Sequence, residues 1–216
     1  MMKTAIVIGS TGLVGSELVK LLLASPHYGS VLLLNRRASG LAHPKIVERI
    51  VDFDAPDLTG ISGDDFYCAL GTTLRKAGSK AAQHEIDCEY PTTIATHLRN
   101  QGIRQMILVS SVGADASAAS FYLRTKGELE KNLIALGFES TVILRPSVLV
   151  GKRAEFRLGE QAGILLMKIL SPFIFGALRK YKGIEASQVA QCMVREANSG
   201  AAGVRFLEFD QIRNLE

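Results

Sequence analysis

In the stretch FYLRTKGELEK, Tyr122 and Lys126 stand four residues apart, a spacing that puts both side chains on one face of a helix, where they can meet. A phenol ordinarily titrates near about 10, a poor match for proton transfer at neutral pH. An ammonium one turn away favours the phenolate and narrows that mismatch. Eleven residues before Tyr122, Ser111 follows Ser110 at the end of RQMILVSS, which reads as a strand, and a hydroxyl there could donate to the same substrate oxygen as the phenol. Such a set suits transfer of a proton to or from an oxygen while hydride moves at the neighbouring carbon. Each feature alone also has a plain structural reading, as an aromatic–cation pair on a helix surface and as a serine pair ending a strand. Which of Ser110 and Ser111 faces the site stays open, because a one-residue slip turns a strand side chain to the other face. Gly127 costs about 1 kcal/mol relative to alanine in a helix, which suggests the close approach of a neighbouring element.

A second constellation lies near the start. GSTGLVG places Gly9, Ser10, Thr11, Gly12, Leu13, Val14 and Gly15 between the strand-like TAIVIG and the helical LVGSELVKLLLAS. Glycines at the first, fourth and seventh positions let the backbone turn sharply, approach a pyrophosphate and pack helix on strand. Helix N-terminal amides then face the phosphates. About 20 residues on, where a carboxylate would hold a ribose 2′-hydroxyl, the chain carries Asn35, Arg36 and Arg37. Guanidinium groups there suit a 2′-phosphate, so NADP(H) is the expected cofactor; an exposed basic turn is the alternative. VDFD places Asp52 and Phe53 where a carboxylate and a backbone could meet an adenine, and Asp52 serves equally well as a turn-starting residue.

The elements that must position these groups alternate in type. TAIVIG, SVLLLN, KIVERIVDF, DDFYCAL, RQMILVSS and STVILRPSVLV read as apolar strands with helical segments between them, and VRFLEF as a last strand. The expected architecture is an α/β Rossmann-like doubly wound parallel sheet, with helices on both faces and a small C-terminal covering region. Residues 1–216 form a single domain in this reading, with 152–183 as the covering or substrate-side segment. The apolar run Ala162 to Leu178 is broken by Lys168 and Pro172 and falls short of the roughly 20 residues of a span. It is expected to bury itself against the core or a second subunit, without stable membrane insertion.

Composition excludes several classes. The 216 residues are 47% hydrophobic with a net charge of +4, and the basic residues are dispersed, so no nucleic-acid groove is needed. Cys68, Cys88 and Cys192 form no CxxC, and His27, His43, His84 and His97 show no metal-ligand spacing; reduced thiols and no metal are expected. The glycine-interrupted N-terminal run is not expected to be a secretory signal, and a cytoplasmic protein is the expectation.

Together GSTGLVG, SSVGADASAASFYLRTKGELE and ILRPSVLVGKRAEFRLGE resemble the short-chain dehydrogenase/reductase superfamily, and CALGTTLRKAG looks like its atypical branch, which contains the human Tat-interacting oxidoreductase and bacterial relatives. The resemblance implies a Rossmann fold, NADP(H), and a catalytic set on Ser111, Tyr122 and Lys126. It also implies that Cys68, Ala69, Leu70, Gly71, Thr72 and Thr73 line the cofactor, with Pro146, Ser147 and Val148 beside the nicotinamide. The run Arg153, Glu155, Arg157 and Glu160 is similar to the family pattern and is explained as well by a solvated loop. The branch includes NADP(H)-binding regulators, so two functions are carried forward: an oxidoreductase acting on a carbonyl or alcohol, and a redox-sensing module with a protein partner.

Overall fold

A computed structural model of the chain describes residues 2–150 and 183–214. The covering segment 152–183, apart from Gly183, lies outside the described residues, as do the Ala162 to Leu178 run and Arg153, Glu155, Arg157 and Glu160.

Seven parallel strands form one sheet: β1 (Lys3–Ile8), β2 (Tyr28–Asn35), β3 (Ile46–Ile50), β4 (Asp65–Cys68), β5 (Gln105–Val109), β6 (Ser140–Leu144) and β9 (Gly203–Leu207). Their spatial order is β3-β2-β1-β4-β5-β6-β9. Alternation along each strand feeds two cores. From β1, Ala5 and Val7 join a cluster with Leu18, Leu22, Val189 and Met193, which belong to α1 (Leu13–Ala24) and α6 (Ala186–Ala197). Ile6 and Ile8 join the opposite cluster with Ile94, Leu98, Leu129 and Leu133, from α4 (Tyr90–Asn100) and α5 (Phe121–Ala135). The runs are apolar throughout because both faces of the sheet are covered, and each fully buried leucine or isoleucine contributes about 1.5–3 kcal/mol. This is the doubly wound Rossmann-like architecture expected from the sequence.

Three details differ from that expectation. The β-α alternation lapses between β2 and β4, where the chain crosses in loops on both sides of β3. KIVERI, read as a buried run, is an edge strand with Val47 and Ile50 exposed. STVILRPSVLV is divided: β6 stops at Leu144, and Leu149–Val150 (β7) pairs with Ile184–Glu185 (β8) in a separate two-stranded sheet. Pro146 accounts for the break, having no N–H to donate to a ladder.

Two short helices, α2 (Leu74–Ala77) and α3 (Lys80–His84), follow β4, capped by the Thr73 and Ser79 side chains. A π-helical turn, Glu85–Glu89, joins α3 to α4 without a break. Helix α7 (Phe209–Arg213) closes the described chain.

Gly127 has a steric reason. A Cβ there would stand 2.1 Å from Ala116 N and Asp115 C, so the loop after β5 crosses α5 backbone to backbone. Backbone atoms cannot swing away as a side-chain end can. Gly127→Ala therefore gains about 1 kcal/mol in helix propensity and is expected to lose more in overpacking, for a net loss of about 1–2 kcal/mol measured as a lower midpoint in urea denaturation. An unchanged midpoint contradicts the crossing.

Candidate active site

Strand order reverses between β1 and β4, and in open α/β sheets the crevice beyond the carboxyl ends at that point takes the ligand. A cavity of about 880 Å³ lies there. The glycine loop forms one wall. Gly9 has φ +79°, and a Cβ on it would lie 2.5 Å from the Ala69 carbonyl; on Gly15 it would lie 2.0 Å from Gly9 O. Only glycine allows the loop to lie against the end of β4 in this way. Gly12 is the N-cap of α1 and brings no side-chain cap, so the first-turn amides are served by no side chain of the cap residue, an arrangement that suits an anion.

The sequence-derived residues divide into those that line the cavity and those that shape it. Gly12, Leu13, Val14, Ala69, Leu70, Gly71, Thr72, Thr73, Ser110, Ser111, Tyr122, Lys126, Ser147 and Val148 line it. Gly9 and Gly15 set the turn behind it. Ser10 is buried and donates from Oγ to Asn35 Oδ1 at 2.7 Å, while Asn35 Nδ2 donates to Glu48; these side chains fix the β1 and β2 ends. Thr11, Arg36 and Arg37 are exposed outside the cavity wall. Among the described residues neither arginine forms an ion pair. Asp52 accepts from Asp54 N, the turn geometry offered as its alternative, and Phe53 is buried edge-on to Tyr90. Pro146 accepts from Val112 N through its carbonyl. Cys68, expected to line the cofactor, is instead buried in the core beneath α4 and α5, and burial pushes its thiol up to about 11. The correction follows from the pleat: Cys68 and Ala69 alternate, and Ala69 is the one at the cavity.

The structure distinguishes the two serines. Ser110 is buried and donates to Glu130 Oε1 at 2.5 Å; Arg145 grips the same carboxylate with Nε at 3.0 Å and Nη2 at 2.5 Å. The Ser111 hydroxyl makes a long 3.4 Å contact to Val112 O and is the freer of the two. Tyr122 is 39% exposed, whereas Lys126 is 3% exposed.

Asp87, a residue that sequence reading missed, explains how a lysine can be buried here. It is fully buried in the π-helical turn and accepts from Thr72 N at 2.6 Å. Its Oδ1 and Lys126 Nζ each lie 3.7 Å from the point where a Cβ on Gly71 would stand, so the two charges face each other across that glycine. Burial alone would lower the Lys126 ammonium's pKa, but the Asp87 charge and then Tyr122 outweigh it and hold the value above the ordinary one. Burial pushes the Asp87 carboxyl up, opposed by Lys126 and the Thr72 amide. Lys80, Gln83 and Phe121 also line the cavity; no motif marks them, since they arrive on α3 and the first turn of α5.

The fold is a Rossmann-like doubly wound α/β fold, of the kind seen in solved short-chain dehydrogenase/reductase structures. The solved structures it resembles include the Bordetella bronchiseptica enzyme WbmH in complex with NAD+ (TM-score 0.71, 15% identity, covering 96% of this chain and 76% of that one). A short-chain dehydrogenase/reductase superfamily protein from Agrobacterium tumefaciens with bound NAD is similar to the same degree (TM-score 0.71, 15% identity, 96% and 78%). At these identities the likeness is one of fold. The HIM1 family model matches residues 41–170, and the chain belongs to that family. It is also 34% identical over 206 residues to the FMP52 protein of Candida albicans, covering 91% of this chain and 89% of that one. To the FMP52 protein of Eremothecium gossypii it is 33% identical over 218 residues, covering 98% and 96%. Both relatives are named mitochondrial proteins, which overturns the cytoplasmic placement expected from the sequence. That expectation rested on a glycine-broken N-terminal run, which speaks against a secretory signal and does not distinguish compartments inside a cell. Among the described residues no helix is long and apolar enough to cross a membrane.

Removing the Asp87 carboxylate should strand a buried ammonium. Asp87→Leu is expected to cost about 3–5 kcal/mol, and Asp87→Asn less, since its Oδ1 can still accept from Thr72. With its folded value raised, Lys126 contributes stability that is full below the unfolded lysine value of about 10.4 and lost as pH climbs through the folded value. The gap between wild type and Asp87→Asn in denaturant titrations should therefore hold up to about pH 10.4 and narrow above it; a gap that stays constant through that range contradicts the pairing.

Proposed function

We propose that the protein is an NADP(H)-dependent oxidoreductase interconverting a carbonyl and an alcohol. The observation that carries this reading is continuity: one cavity runs from the N-terminus of α1, past the ends of β4 and β5, to an accessible phenol with a buried ammonium one turn away. Its residues fit a dinucleotide. The first-turn amides of Leu13 and Val14 suit a pyrophosphate, and Arg36 and Arg37 at the end of β2 suit a ribose 2′-phosphate. A bound nicotinamide supplies or accepts the hydride.

The chain's own residues then handle the proton. In the reducing direction Tyr122 gives its phenolic proton to the developing alkoxide and recovers one from solvent, to which it is open. Ser111 donates to the same oxygen and fixes its place. Lys126, charged and held from behind by Asp87, favours the phenolate left after transfer, and its remaining donors can reach ribose hydroxyls. Ser110 is a positioning residue, tied through Glu130 to Arg145. The finer likeness to the atypical branch rests on CALGTTLRKAG, whose Thr72 and Thr73 lie on the cavity wall.

With a panel of carbonyl substrates followed by NADPH absorbance, the wild-type chain is expected to turn over at least one. Tyr122→Phe should lower that rate by about 100- to 10,000-fold while leaving the fold and NADPH affinity intact. Replacement of Arg36 and Arg37 together should weaken NADPH and leave NADH unchanged, because only the first carries the phosphate. Tight NADPH binding without turnover on any substrate would favour the redox-sensing module; full activity in Tyr122→Phe would remove the phenol from the chemistry.

A further inference from the structure

Behind the catalytic face, a second and smaller cavity of about 460 Å³ is lined by His84, Cys88, Glu89, Thr92, Glu128 and Asn132. Three of these side chains converge. One ring nitrogen of His84, the thiol of Cys88 and a carboxylate oxygen of Glu128 all lie within 4.8 Å of one another. His84 ends α3 and Cys88 sits in the π-helical turn, where the widened winding brings both the fourth and the fifth residues on beneath the imidazole. Glu128 comes from α5, roughly 200° around that helix from Lys126.

We propose that His84, Cys88 and Glu128 form a binding site for a divalent transition-metal cation of borderline softness, Zn²⁺ being the cation whose chemistry fits best. The donor set is imidazole nitrogen, thiolate sulfur and carboxylate oxygen, a combination suited to zinc and ill suited to magnesium or calcium, which take oxygen donors. Tetrahedral zinc at its usual bond lengths of about 2.0–2.3 Å sets donor atoms about 3.3–3.8 Å apart. Most of the adjustment needed is side-chain rotation. His84 Nε2 now lies 2.8 Å from Glu128 Oε2 and Nδ1 lies 3.1 Å from Glu89 Oε1. With Nδ1–H donating to Glu89 in the metal-bound form, the lone pair falls on Nε2, facing Glu128 and Cys88; a carboxylate behind a ligating histidine is the usual second partner at such sites. Asn132 Nδ2 stands 3.7 Å from Cys88 Sγ and suits a thiolate acceptor.

The proton balance is simple. Burial holds the Cys88 thiol up at about 11, and His84 Nε2 donates its proton toward Glu128 in the absence of metal, so binding converts thiol to thiolate, frees the Nε2 lone pair and releases both protons to solvent. The metal would tie the π-helical turn to α5, the two elements that carry Asp87 and Lys126. The site uses none of the residues proposed for dinucleotide binding, so the two readings stand or fall separately.

Metal binding is tested on the chelator-treated full chain with Co²⁺ and then Zn²⁺. One equivalent of Co²⁺ should produce a thiolate-to-cobalt charge-transfer band and the strong visible bands of tetrahedral cobalt, and Zn²⁺ should abolish both. Cys88→Ser should lose the charge-transfer band, Cys192→Ser should keep it, and Glu89→Gln should weaken binding by about 10- to 100-fold. Should Cys88→Ser fail to fold, His84→Gln must abolish stoichiometric binding. No stoichiometric binding at micromolar metal, a band that survives in Cys88→Ser, or wild-type binding in His84→Gln each overturns the proposal, leaving a histidine braced between two glutamates.

Discussion

A charged lysine buried beneath the carboxyl edge of a sheet needs an opposite charge in the same dry place, and the site is arranged around that demand. The Lys126 ammonium lies on α5, the Asp87 carboxylate in the π-helical turn, and Gly71 after β4 separates them without a side chain. Three segments distant in sequence must therefore meet within a few ångströms. A uniform α-helix from Lys80 to Asn100 would wind Asp87 to a different angle; the extra residue of the π turn sets the carboxylate toward Thr72 and Lys126. Such insertions are frequent at functional sites. Asp87 offsets the burial of the Lys126 ammonium and so helps keep it charged one turn from Tyr122.

A second constraint works beside it, through steric exclusion rather than charge. Gly9 and Gly15 let the loop after β1 touch the end of β4, and Gly127 lets the loop after β5 cross α5. These contacts set the distance between the cavity's two ends, one suited to phosphate and one to a proton donor. The Ser110–Glu130–Arg145 cluster then holds β5, α5 and β6 together just behind the serine whose hydroxyl stays free.

Much of this was legible in the sequence, where apolar runs covered on both faces gave strands and the spacing of Gly9, Gly12 and Gly15 gave the turn. Tyr122 and Lys126 reach one cavity because a four-residue interval sets both on one face of a helix. Asp87 was not legible: a single aspartate in EIDCEY looks solvated until tertiary packing brings it to Lys126. His84, Cys88 and Glu128 escaped for a related reason, since two of them are joined by a π turn that no composition rule announces and the third is 40 residues away along the chain. KIVERI misled because an edge strand and a buried one share the same β-branched content, and Cys68 because a one-residue difference in the pleat separates core from cavity.

The central claim is that a single crevice takes the dinucleotide from the glycine loop through to Tyr122 and Lys126. Methyl-labelled NMR spectra recorded during titration with NADPH test it most directly, since methyl groups lie along the whole route. Val14, Leu70, Val109 and Val148 should shift together and saturate at one equivalent, while Val47 and Val204 on the two sheet edges stay still. Shifts confined to the edge strands, or none at Val14 and Val109 under saturating NADPH, would contradict the account.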